Sequence, residues 1–196
     1  MSKAKLARVL RDVRACEICN EFLPLSPKPI LAVGHDTRIL IIGQAPGKKV
    51  HDSGVPWQDA SGNNLRNWMG IEDNTFYDAN QIAIVPMGFC YPGKGKSGDL
   101  PPRPECAPQW HETLLNMMPD IQLTLLIGQY AQKYYLKENA ERNLTETVRK
   151  FEQFLPAIFP LPHPSPRNNI WQRKNPWFQQ DLLPELKRIV KKTLSK

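Results

Sequence analysis

Residues 37–47 read TRILIIGQAPG. Ile39, Leu40, Ile41 and Ile42 follow one another without a polar break and run into a Gly/Pro turn. A short apolar run of this kind, closed by turn residues, predicts a strand buried on both faces. The plan recurs in NQIAIVPMGF (80–89) and in IQLTLLIGQYA (121–131), the latter followed by helix-like QYAQKYYLKEN (129–139). FLPAIFPLP (154–162) supplies a fourth, shorter strand. Strands alternating with helical segments predict an α/β fold. We expect a single domain over residues 1–196, three-layer αβα, with a central, mostly parallel four-stranded sheet. Ligands of such folds bind at the carboxyl ends of the strands. GQAPG, MGFC and HPSPRN each follow an apolar run, so they should gather on one edge. SGNNLRNWMG (61–70) predicts a helix, with Ser61 as candidate N-cap.

With 196 residues and 41% hydrophobic residues, the chain can build a real core, which argues against whole-chain disorder. Neither a signal-peptide pattern in MSKAKLARVL nor a run of membrane-spanning length is found, so a cytoplasmic protein without membrane attachment is expected. Lys and Arg number 26 against 19 Asp and Glu, a formal charge of +7. A basic balance favours a polyanionic partner, and nucleic acid is the commonest. Five of the cations lie in the tail LKRIVKKTLSK, which reads first as a solvated helix face.

The chain has four cysteines: Cys16 and Cys19 in a C-x-x-C, then Cys90 and Cys106. In an intracellular protein this favours a metal or cluster over disulfides. A C-x-x-C suits two thiolates on one centre because its short loop lets both sulfurs converge. The plain alternative is four buried small hydrophobes. A redox pair would want the motif after a strand, and here it precedes the first. Counting thiolates does not separate zinc from iron–sulfur.

HPSPRN (163–168) is neither helix nor central strand, because its prolines fix φ, remove donors and extend the residues before them. It predicts a stiff loop presenting polar side chains in fixed directions. A proline-rich connection without a role is the plain alternative.

The order LIIGQAPG, GVPWQDASG, LLIGQYAQ, PHPSPRN resembles the uracil-DNA glycosylase superfamily. The cysteine layout is similar to that of its iron–sulfur branch, family four. That branch has an N-terminal C-x-x-C, a third cysteine after the second core strand, and a fourth beyond a proline-rich loop, here CYPGKGKSGDLPPRPEC. The resemblance runs from about Cys16 to Asn168. It implies a DNA glycosylase that hydrolyses the N-glycosidic bond of a deaminated base, uracil first, flipped out of DNA, leaving an abasic site. The alternatives are a member that only binds nucleic acid or free nucleobase, and an enzyme acting on RNA or a nucleotide. The partner implied is DNA containing a damaged base, bound by a monomer.

The resemblance also assigns roles. His163 donates to the leaving base oxygen; its plain alternative is loop packing. In and beside HPSPRN, Pro164 and Pro166 belong to the DNA-binding set as the stiff frame, Ser165 and backbone donors hold phosphates, Arg167 pushes into the base stack, and Asn168 and Asn169 touch the DNA backbone. The motif Gly43-Gln44-Ala45-Pro46-Gly47 carries no acid where the best-known branches have aspartate or glutamate. Asp59, in a D-A-S-G segment similar to that of family five, is expected to supply the carboxylate, with Gln44 completing a catalytic set of Asp59, His163 and Gln44. Asp59 is equally well read as a helix N-cap. Trp57 stands for the aromatic on which the flipped base stacks, or is a core tryptophan. Gly43, Gln44 and Ala45 line the base pocket. Pro86 occupies the position of the asparagine that reads uracil, so backbone groups of Met87 and Gly88 are expected to read the base edge. Gly47, Lys48 and Ser61 join the DNA-binding set. Cys16, Cys19, Cys90 and Cys106 would hold a structural 4Fe-4S cluster, with structural zinc as the alternative. His35, His51 and His111 are set aside as non-catalytic.

Overall fold

The computed structural model describes residues 3–195; Met1, Ser2 and Lys196, at the outer ends of the first segment and of the basic tail, lie outside it. Helix α1 (Lys3–Arg14) precedes strand β1 (Ile39–Ile42), which leads through the Gly-rich turn to α2 (Lys48–Ser53) and α3 (Ala60–Met69). A one-turn α4 (Asp73–Phe76) comes before β2 (Ile82–Ile84). The proline-rich loop folds into a hairpin, β3 (Lys94–Gly95) and β4 (Gly98–Asp99), ahead of α5 (Cys106–Leu115). Then follow β5 (Leu123–Ile127), α6 (Gly128–Leu136), α7 (Leu144–Arg149), β6 (Ile158–Leu161), α8 (Asn169–Lys174) and α9 (Leu183–Leu194).

The four long strands form one sheet in the order β2-β1-β5-β6, and every pairing among them is parallel. Ile39 lies opposite Ile82 on one side and Leu123 on the other, so β1 is central. All four β1 residues are buried. Successive strand side chains point to opposite faces, and β1 therefore feeds two cores. Ile39 and Ile41 pack with Leu65 of α3, Leu186 and Val190 of α9, Phe76, Phe159 and Phe178. Leu40 and Ile42 pack with Val9 and Val13 of α1, Leu114 of α5 and Leu136 of α6. Helices on both faces of a parallel sheet make the expected three-layer α/β arrangement. Among the described residues, antiparallel pairing is confined to the β3–β4 hairpin and a single bridge between Ala32 and Ile84.

The basic tail is the outer side of a core helix. Leu186 and Val190, four residues apart, are fully buried with α9 laid on α3. Arg188 pairs with Glu185 within the same helix. Among the described residues no helix is long and apolar enough to cross a membrane.

One buried polar network fixes the chain where it leaves β2. His111 on α5 is 2% exposed and stacks on Phe89. Its Nε2 lies 3.0 Å from the Pro86 carbonyl, and its Nδ1 2.6 Å from the Tyr135 hydroxyl of α6. A carbonyl only accepts, so Nε2 carries the proton and donates to it, and Nδ1 accepts from Tyr135. Burial pulls the His111 pKa from 6.5 down to about 4, which keeps the ring neutral. The unfolded chain therefore binds a proton that the folded chain refuses between those two values. Stability should be full above the unfolded value and fall as pH drops from 6.5 towards 4, by about 3 kcal/mol from this group at ~1.4 kcal/mol per pKa unit. Urea unfolding across this range measures it, and His111→Phe should flatten the profile by about that amount.

Candidate active site

The turns that follow β1 and β6, the start of α3 and the β3–β4 hairpin surround a cavity of about 600 Å³ at the carboxyl edge of the sheet. Gly43, Gln44, Ala45 and Gly47 line it from the first turn, and Trp57, Asp59 and Ser61 from the entry to α3. His163, Ser165, Pro166, Arg167 and Asn168 close it from the proline-rich loop. Segments more than a hundred residues apart thus converge because parallel strands deliver their following loops to one edge.

His163 is held in a defined protonation state. The Ser165 backbone N–H donates to its Nδ1 at 3.2 Å. Nδ1 is thereby an acceptor, and in a neutral ring the proton resides on Nε2. Burial lowers the His163 pKa against the opposing pull of Asp59, so the neutral form is favoured. Among the described residues nothing accepts from Nε2, which leaves that N–H as the ring's donor in the cavity. The loop is tied down around it. The Asn168 side chain donates to the His163 carbonyl at 2.6 Å, and the Asn64 side chain of α3 donates to the Pro164 carbonyl at 2.8 Å. Asn168 thus spends its amide inside the loop, and Ser165 Oγ accepts from the Arg167 N–H.

Trp57 adopts φ +58, an uncommon conformation for a bulky residue. Such backbone costs of order 1–3 kcal/mol and persists where neighbours over-determine it. Here the Trp57 carbonyl accepts from Arg66 at 3.4 Å and from the Tyr77 hydroxyl at 3.5 Å. Arg66 is buried, pairs with Asp73 at 2.7 Å, and stacks over the Phe76 and Tyr77 rings. The indole lies against Gly43, where a Cβ would come within 2.8 Å of the ring, and 5.7 Å from the His163 ring. Trp57 also packs against the first core, so it is both core residue and cavity wall.

Asp59, not Ser61, is the N-cap of α3: its Oδ1 accepts from the Gly62 N–H at 2.8 Å. Ser61 lies two residues further on, within the first turn of α3, and lines the cavity. Asp59 lines the cavity while capping, with one carboxylate oxygen committed to the helix. The Gln44 amide donates to the Leu100 carbonyl at 3.2 Å, latching the Gly-rich turn to the end of the hairpin.

Several expected site residues are placed elsewhere. The N–H groups of Met87 and Gly88 donate to the carbonyls of Gly43 and Gln44, and Met87 is buried in the second core; neither residue lines the cavity. Those donors are consumed by the chain's own turn and cannot read a base edge. Pro86 does line the cavity, but its carbonyl is taken by His111. Lys48 lies outside and pairs with Asp52 at 2.6 Å. Pro164 contributes its carbonyl to Asn64 rather than to the cavity wall. Asn169 opens α8 and faces a second, smaller depression beside Gln172 and Arg173. Conversely Lys94, Ser97, Gly98 and Asp99 of the hairpin line the cavity, which the sequence reading missed. The available signal was Asp99 itself, with Glu105 the only acids between Cys90 and Cys106.

The four cysteines are free thiols, Cys16 partly exposed and the other three buried. Cys106 feels the charges of Cys90, Cys19 and Cys16, and Cys90 those of Cys19 and Cys16. Burial pushes Cys90 to about 11 and Cys106 to about 12, so without a metal both stay protonated. The Phe89 N–H and the Trp110 indole N–H donate to the sulfurs of Cys106 and Cys16, each at 3.4 Å. Sulfur-directed donors of this kind suit thiolate. Among the described residues, however, no three His, Cys, Asp or Glu side chains are drawn up as a ligand set.

The model of the Uracil DNA glycosylase superfamily matches residues 32–187, most of the chain and every cavity-lining residue but Ile30, though not the C-x-x-C. The entry to α3 is the tightest part of the site. A Cβ on Gly62 would lie 1.7 Å from the Trp57 carbonyl oxygen, a backbone atom with no room to yield. Gly62→Ala should therefore destabilise the protein by at least ~1–3 kcal/mol, the usual cost of overpacking. A thermal melt, together with a shift in tryptophan emission, checks this.

Proposed function

We propose, on the premise that this chain belongs to the uracil DNA glycosylase superfamily, that it hydrolyses the N-glycosidic bond of a deaminated base flipped out of DNA. The observation that carries this reading is the neutral His163, which lines a cavity shared with Trp57 and Asp59 and keeps its Nε2–H unengaged among the described residues. Departure of a base leaves negative charge on the base and positive charge on the sugar. A preorganised neutral donor meets the first, and a carboxylate meets the second. The Trp57 face offers a stacking surface for the extruded base, worth ~1–3 kcal/mol. The rigid turn at Arg167 is suited to fill the gap left in the duplex.

Uracil is the first substrate to test, with hypoxanthine and xanthine beside it. Pro86 offers no side-chain hydrogen bonds, and the nearby backbone donors are occupied. Selection among bases thus falls to cavity shape and to His163. Oligonucleotides carrying one such base, single- and double-stranded, are incubated with the protein and heated in alkali to break abasic sites. Cleavage of at least one is expected, and His163→Ala should lower its rate by ~10²–10³. Salt-dependent DNA binding without cleavage of any would favour the non-enzymatic alternative.

Cys16, Cys19, Cys90 and Cys106 would hold a 4Fe-4S cluster, with zinc as the alternative. The support is the C-x-x-C layout, the electrostatic influence of Cys16, Cys19 and Cys90 on Cys106, and the N–H donors directed at the sulfurs of Cys106 and Cys16. A bound centre would tie the N-terminal segment to both ends of the hairpin loop; it is given no part in the chemistry. Protein purified without air should be brown and contain iron and sulfide. Zinc in place of iron would identify the alternative centre, and a colourless, metal-free, stable protein would leave the cysteines as core residues.

A further inference from the structure

The cavity holds a second acid. Asp99 closes the β3–β4 hairpin opposite Lys94 and lines the same space as Asp59, Gln44 and His163. Its Oδ2 lies against Gly47, where a Cβ would come within 3.2 Å of it. Gly47 ends the Gly-rich turn, the very segment that carries Gln44 in place of an acid. The neighbouring Leu100 carbonyl is latched by Gln44, which holds the hairpin over that turn. Among the described residues Asp99 accepts no hydrogen bond and forms no ion pair, whereas Asp59 has one oxygen bound to the Gly62 N–H. Of the two acids, Asp99 is the one with both oxygens unengaged.

We propose that Asp99 is a catalytic carboxylate of this site, supplied by the hairpin in place of the acid absent from the Gly-rich turn, and that it accepts the proton of the attacking water. This rests on the glycosylase reading. Water oxygen bonds to the anomeric carbon as the bond from that carbon to the base nitrogen breaks. The electron pair leaves with the base, whose oxygen accepts a hydrogen bond from His163. One water proton passes to Asp99 and then to the departed base anion or to solvent, restoring the carboxylate. Asp59, capping α3, stabilises the cationic sugar. Asp99 is exposed at the cavity rim, yet the partial desolvation it meets there raises its pKa above the ordinary carboxylate value; Arg167 opposes this, Asp59 reinforces it and Lys94 opposes it. His163, which also faces the cavity, stays neutral. A raised pKa makes a stronger proton acceptor nearer neutrality.

Two readouts test the assignment. Single-turnover excision of the cleaved base is followed from pH 5 to 9 for wild type and Asp99→Asn. Binding is measured by anisotropy to two duplexes, one with a neutral tetrahydrofuran abasic analogue and one with its cationic pyrrolidine counterpart. The wild-type rate should fall as pH drops through the raised Asp99 value. Asp99→Asn should lose ~10²-fold or more in rate, together with that acid limb. Its affinity for the neutral duplex should be kept, while the preference for the cationic duplex drops about fivefold. An Asp99→Asn protein that keeps both its rate profile and its cationic preference overturns the proposal. If wild type cleaves nothing yet its cationic preference vanishes in Asp99→Asn, the carboxylate stands at the sugar and the hydrolase reading fails.

Discussion

Burial of β1 on both faces is the constraint from which the rest of the molecule follows. A strand covered on one face can pair in either sense and leave its other side wet. A strand with Ile39 and Ile41 in one core and Leu40 and Ile42 in the other must have helices above and below. That requirement favours parallel neighbours joined by crossover helices. Parallel neighbours in turn send every succeeding loop to the same edge. The cavity is thus a product of the sheet, and the Gly-rich turn, the α3 entry and the proline-rich loop meet there because the strands leave them nowhere else to go.

At that edge the chain repeatedly spends backbone hydrogen bonds to fix geometry. The Ser165 N–H sets the His163 tautomer, Pro164 and His163 carbonyls are held by Asn64 and Asn168, and Arg66 with Tyr77 restrains the Trp57 carbonyl. Groups held this way cannot also bind a ligand. The same bookkeeping removes Met87 and Gly88 from base reading, because their donors already serve the Gly-rich turn.

How much of this was legible in the sequence depended on the range of the interaction. The strands were legible because a buried run is a local pattern, and β1, β2, β5 and β6 fall within the segments read from it. The cavity's principal walls were legible through motifs that follow those strands. The cap of α3 was read as either Ser61 or Asp59, both good capping residues, and Asp59 takes it because it lies three residues before the Gly62 N–H and reaches it. The hairpin was invisible in a loop of glycines, lysines and prolines, since two-residue strands leave no periodicity. Asp99 enters the site through the fold of that loop over Gly47, a contact between segments about fifty residues apart. The His111 network escaped notice for the same reason: it joins α5 and α6 to the exit of β2.

The hairpin is anchored at both ends and unanchored in sequence. Cys90 follows the edge strand and Cys106 opens α5, both buried, while the residues between them include the exposed cavity-wall residues Lys94, Ser97 and Asp99. Extending such a loop costs only the slowly growing entropy of closure, and none of its hairpin residues supports a core strand. A lineage could therefore exchange this segment wholesale, altering the cavity's charge and outline, without refolding the sheet beneath it. Diversification of the site would then proceed by loop replacement, at a rate set by surface tolerance rather than by the slow co-variation that a buried core demands.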